Sequence, residues 1–143
     1  MKGIIYAMAA GVFICLQAVF NTRLGEKIGF WETNTVVHGS GLVLTVIILL
    51  STGNISFAGI GEANKLYLLG GALGVFIIFC VMNTISTLGA AFGVAIMLIT
   101  QLIAATIIDS FGLFGSPIMK FDITKFLGIV IMIIGIVVFK LKG

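Results

Sequence analysis

Residues 66–108 read LYLLGGALGVFIIFCVMNTISTLGAAFGVAIMLITQLIAATII, a stretch with no charged side chain and no proline. A bilayer core is crossed by about 20 apolar residues of helix, so the stretch is long enough to cross twice. Its apolar residues show no period-two alternation, which favours helices over barrel strands. Two spans are therefore predicted, 66–85 and 88–108, joined as a tight hairpin with NTISTLGAA (83–91) at its bend. Working outward, the same criterion gives spans at 3–20, 30–50 and 124–141.

Composition agrees with that reading. The chain has 143 residues, 60% hydrophobic and 9% charged, with a mean hydropathy of +1.29. A water-soluble fold carries roughly 25% charged residues, so most of this surface must face something apolar. The fold class expected is an all-α integral membrane protein of five transmembrane helices, organised as a single membrane domain over residues 1–143. Lys2 and the first apolar run resemble a signal peptide, but NTRLGEK follows where small cleavage-site residues are needed. VFI before Cys15 is likewise too bulky for a lipoprotein signal. The first span is expected to be retained.

Net charge is +3, with the cations spread along the chain. No basic stripe forms, and nucleic acid is not an expected partner. Cys15 and Cys80 lie in apolar runs, where small packing residues are expected rather than a disulfide. Metal-ligand clusters, phosphate-binding glycine loops and a Ser/His/Asp arrangement are all lacking in the sequence pattern. No cofactor is expected, and the chain is not expected to be an enzyme.

Five crossings place the termini on opposite sides. Lys2, Lys65, Lys120 and Lys125 then fall on one side and Arg23, Lys27, Lys140 and Lys142 on the other, which divides the eight cations equally. Lys/Arg excess on one side normally fixes orientation; here there is none. One reading is that the first helix or a single loop still sets a fixed orientation. The other is dual topology, with two copies pairing in opposite orientations as inverted repeats do in many transporters.

Polar residues inside the spans are candidate site residues, since each needs a partner or a wet cavity. Gln17 and Asn21, four apart, share a helix face and suit either interhelical hydrogen bonds or a pore lining. His38 reads either as an imidazole satisfied by a carbonyl or hydroxyl, or as a titrating or substrate-contacting group. Asn83 stands with Thr84, Ser86 and Thr87 at the hairpin, and Gln101 lies on the fourth helix with Thr100 and Thr106. Asp109 sits at a helix C-terminus, where the macrodipole disfavours a carboxylate. It is either a solvated or lysine-paired end charge, or it faces an aqueous vestibule. Glu32 is better placed near a helix start, beside Trp31, whose indole suits the headgroup region or the same vestibule. The pairs Gly70/Gly74 and Gly89/Gly93 have the four-residue spacing of helix-packing faces.

Four stretches carry a resemblance: LQAVFNTRLGEKIG (16–29), HGSG (38–41), LGAAFGVAIMLITQLIAATIIDSFGLFG (88–115) and LGIVIMIIGIVVF (127–139). On these the chain resembles the YdcZ-type proteins, short bacterial members of the drug/metabolite transporter superfamily. The resemblance covers nearly the whole chain and is most specific from Gln101 through Asp109 to Gly115. It implies a multi-pass protein of the bacterial inner membrane, and a small-molecule transporter made by pairing inverted copies, as in the related small multidrug resistance exporters. The partner would be a second copy or an oppositely oriented paralogue.

One departure limits what carries over. Those exporters place a glutamate within the first span, where this chain has Gln17 and Asn21, so their proton-coupled cation export is not implied. The function expected is secondary transport of an unidentified small molecule through a crevice between inverted subunits. Gln17, Asn21, His38, Asn83 and Gln101 would line it, with Asp109 and Trp31 at a mouth. The alternative is a passive channel or lipid-interacting protein of the same architecture, with a structural scaffold third.

Overall fold

A computed structural model describes residues 1–53 and 55–141; Lys142, one of the cations counted above, lies outside them. The architecture is all-helical: α1 (Lys2–Ile28), α2 (Phe30–Thr52), α3 (Gly70–Leu88), α4 (Ala90–Phe111) and α5 (Ile123–Lys140), with short 3₁₀ turns at Ala58–Gly61, Lys65–Leu69 and Leu113–Gly115. Among the described residues, five helices are long and apolar enough to cross a membrane, the third counted from Lys65. The helices group into two compact units, Met1–Thr87 and the chain from Leu88 onward.

The first unit is turned outside in relative to a soluble protein. Its buried positions are mostly small or polar: Ala18, Asn21, Thr22 and Gly25 on α1, Thr33 and Asn34 on α2, and only Met82 and Ile85 on α3. Large apolar side chains such as Phe13, Leu44 and Phe76 are instead exposed. In lipid this is the stable arrangement, because apolar surfaces gain nothing by leaving hydrocarbon and small residues let backbones approach. Cys15 and Cys80 follow the same logic. Both are exposed thiols rather than packed ones.

α1 runs eight residues beyond its expected apolar span, through NTRLGEKI. Its last turns carry the Arg23–Glu26 ion pair, 3.0 Å long and exposed, and Lys27, which suits the negative end of the helix. Glu26 is therefore a helical residue rather than a loop residue. Only Gly29 separates α1 from α2, and its φ of 99° is a conformation that glycine adopts at little cost. The Gly29 N–H donates to Gly25 O at 2.9 Å, and its carbonyl accepts from Thr33 N–H at 3.1 Å.

α2 and α3 are clasped by aromatic and amide contacts. Trp31 stacks on Phe79 at 4.5 Å and 15°, and Phe30 meets the same ring edge-on at 6.5 Å and 82°. Asn34 Nδ2 donates to Val75 O at 2.7 Å.

The second unit contains α4 and α5. Gly89, φ 79°, precedes α4, so it acts as a turn residue, while Gly93 is buried in the helix. At the other end Gly112, φ 60°, caps α4 by donating to Ile108 O. The chain then folds back so that Met119 N–H reaches Asp109 O at 2.9 Å. Phe114 adopts φ 58° within this loop, a left-handed conformation uncommon for a non-glycine residue. Lys140 lies over the Phe92 ring, 4.2 Å from its centroid, a cation–π contact between the end of α5 and the start of α4.

Asp122 is the N-cap of α5. Its Oδ1 accepts from Thr124 Oγ1 at 2.6 Å and from the Thr124 and Lys125 amides at 3.0 Å each. The Thr124 side-chain hydrogen bond, then the Lys125 amide, hold its carboxyl below the usual 3.8. A lowered folded-state pKa stabilises the charged form, so the cap contributes fully above the usual value. Its contribution is lost as pH falls through the lowered one. Asp122→Ala is expected to speed hydrogen exchange at the Thr124 and Lys125 amides at neutral pH, with the α5 interior unchanged.

Candidate functional site: two grooves in the first unit

Most hydroxyls in the helices are satisfied by their own backbone. Thr84, Thr87, Thr100 and Thr106 donate to the carbonyls of Cys80, Asn83, Ile96 and Leu102, four residues earlier. Asn83 does the same through Nδ2 to Phe79 O at 2.8 Å. Such back-bonding lets polar residues sit in lipid without a ligand or partner helix. These positions therefore do not by themselves call for a solute.

Gln17 and Asn21 behave differently. Both line a groove of about 870 Å³ between α1 and α2, whose other walls include Phe13, Phe20, Ser40 and Leu44. Asn21 is 7% exposed, and neither amide makes a side-chain hydrogen bond among the described residues. The shared face read from their four-residue spacing is thus a polar strip in a cleft that is apolar apart from Ser40.

A second groove of about 420 Å³ opens on α2 beside α3. Trp31, Asn34, Thr35, His38 and Val75 line it. His38 Nδ1 lies 3.0 Å from Asn34 O, the carbonyl contact expected of a satisfied imidazole. Its Nε2 would stand 3.2 Å from a Cβ placed on Gly74. Gly74 thus makes room for the imidazole. Gly70, its partner in spacing, has nothing within 4 Å of the equivalent point.

The sequence reading missed Thr33 and Asn34. Both are buried, at 0% and 3% exposure, and Thr33 Oγ1 and Asn34 Oδ1 have no hydrogen-bond partner among the described residues. A signal was present in WETNTVVH (31–38): Trp31, Asn34 and His38 recur at three- and four-residue spacing, hence on one face.

In the second unit Gln101 is exposed on α4. Asp109 is half-buried in a groove with Thr106, Met119, Lys125 and Gly128. No cation lies within ion-pair distance of its carboxylate among the described residues. Lys125, which lines the same groove, instead donates from Nζ to Lys120 O at 3.0 Å. A further groove of about 430 Å³ is lined by Ile103, Ile107, Phe111, Phe121 and Phe126.

A family model described as "Putative inner membrane exporter, YdcZ" matches residues 3–138. No curated protein and no solved structure matches the chain.

Proposed function

Because the chain belongs to the YdcZ family, we propose that it works as one half of a secondary transporter for small molecules, paired with an oppositely oriented copy or paralogue. The observation that carries this reading is the α1–α2 groove. It places two uncommitted amides, Gln17 and Asn21, on a strip flanked by Phe13, Phe20 and Leu44. An amide strip in an apolar cleft can take the polar groups of a neutral or zwitterionic solute while its walls accept the rest. The equal division of cations supports the inverted pair, and inverted repeats build their sites at the interface between the repeats. His38 and Trp31, which line the neighbouring groove on α2, are assigned to the same path.

The test is counterflow into proteoliposomes with a panel of small uncharged and zwitterionic solutes. For any solute carried, Gln17→Leu and Asn21→Leu are each expected to slow the initial rate about tenfold, the value of one lost hydrogen bond, with helicity and melting unchanged. Altered melting with unaltered transport would reduce the amides to a structural role. A lipid-handling function has one observation in its favour, the aromatic and aliphatic lining of the groove at Ile103, Phe111 and Phe126, which suits an acyl chain in chemistry. Lipid exchange between leaflets in the absence of any solute gradient would support that reading instead.

A further inference from the structure

The groove beside α3 differs chemically from the one between α1 and α2, because its polar side chains have already committed donors to backbone carbonyls. A carbonyl can only accept, and this settles three assignments. The Asn34 atom 2.7 Å from Val75 O is Nδ2, so Oδ1 is the atom left without a donor. The His38 nitrogen 3.0 Å from Asn34 O carries the proton, so Nε2 of the uncharged ring presents a lone pair. The Thr35 hydroxyl donates to Trp31 O at 3.0 Å, so its oxygen is also left as an acceptor.

One wall of the same groove is aromatic. Phe79 covers a face of the Trp31 indole at 4.5 Å, yet Trp31 remains 53% exposed. The lining includes no Asp, Glu, Lys or Arg. With no carboxylate to offset its lost hydration, a cation would gain only the indole face and the acceptors, and an anion would meet lone pairs.

We propose that this groove binds a small, uncharged, flat solute carrying at least two N–H or O–H donors. Its face lies on Trp31, and its donors meet His38 Nε2 and Thr35 Oγ1. Asn34 Oδ1 lies beneath the lining without a donor. The inference rests on the transport reading insofar as His38 belongs to the transport path, and it names the class of solute that path selects.

Trp31 is the only tryptophan, so its emission reports occupancy directly. The full chain in lipid nanodiscs is titrated with benzamide, which has a flat ring and two N–H groups, and with N,N-dimethylbenzamide, which keeps the ring and has none. Benzamide is expected to change the emission saturably, and the dimethyl compound to bind about tenfold or more weakly. His38→Phe should weaken benzamide about tenfold and leave the dimethyl compound unaffected. Thr35→Val, an exposed and nearly isosteric change, should weaken benzamide similarly and serves where His38→Phe does not fold.

Equal responses to the two probes, or a response that rises without saturation as for simple partitioning into lipid, would overturn the proposal. So would an unchanged benzamide curve in the folded variants. The readout needs no transport, so the two readings can fail separately. Binding without counterflow would remove only the transporter, and counterflow without donor-selective binding would remove only this site.

Discussion

Locking the chain into one orientation is expected to abolish transport, and mixing two oppositely locked versions to restore it. The native cations divide equally between the two sides of a five-span chain, so two substitutions suffice to create a bias. Lys65→Gln with Lys120→Gln leaves an excess on the side of Arg23 and Lys27; Arg23→Gln with Lys27→Gln leaves the reverse. By the positive-inside rule each double variant adopts a single orientation, and the two are opposite. If the solute path needs an inverted pair, each variant alone falls to the background of empty liposomes. Co-expression returns transport to a large fraction of the native rate. None of these side chains lines the grooves at Gln17 or His38, so loss of activity would reflect assembly. Full activity from either variant alone would mean a parallel assembly or a working monomer.

The second large effect is expected at Gly25. It is buried on α1 where the chain turns into α2. A Cβ there would run into Phe30 Cδ1, stand 2.8 Å from Cε1 and reach 3.4 Å from Met82 Sδ. Phe30 can yield only by giving up its present contact. It is the first residue of α2 after the one-residue turn at Gly29, and its ring is fixed edge-on against Phe79. Overpacking of this kind costs about 1–3 kcal/mol, and it acts where α1, α2 and α3 meet. Gly25→Ala is expected to destabilise by that amount in denaturant titrations followed by Trp31 emission, and Gly25→Val by more. Gly11→Ala is the control, because nothing lies within 4 Å of its Cβ position. Relief from the low helix propensity of glycine should make that change neutral or slightly stabilising, by about 0.5–1 kcal/mol. Equal behaviour of the two alanine variants would contradict the packing described.

What the sequence revealed and what it hid have physical causes. The five spans were legible because hydrocarbon imposes length and apolarity on every helix that crosses it. The common face of Gln17 and Asn21 was legible because the helical repeat fixes it. The continuation of α1 through NTRLGEKI was hidden, since charge marks the end of an apolar span and not the end of a helix. The role of Gly89 was hidden because its four-residue spacing to Gly93 says nothing about the sign of φ. Asn34 was missed because its partner, Val75 O, lies on another helix, and no local spacing encodes that contact. Asn83 and Thr100 show the converse. Their polarity flagged them, but a side chain satisfied by its own helix looks the same in sequence as one awaiting a solute.

The central claim is the inverted pair, and the orientation of the termini tests it most directly. With Cys15 and Cys80 replaced, single cysteines are placed at the N-terminus and after Lys142, and intact cells are treated with a membrane-impermeant maleimide. The account predicts partial labelling from outside at both positions, each well below the level reached after permeabilisation. Complete labelling at one terminus and none at the other would contradict a homodimer of inverted copies.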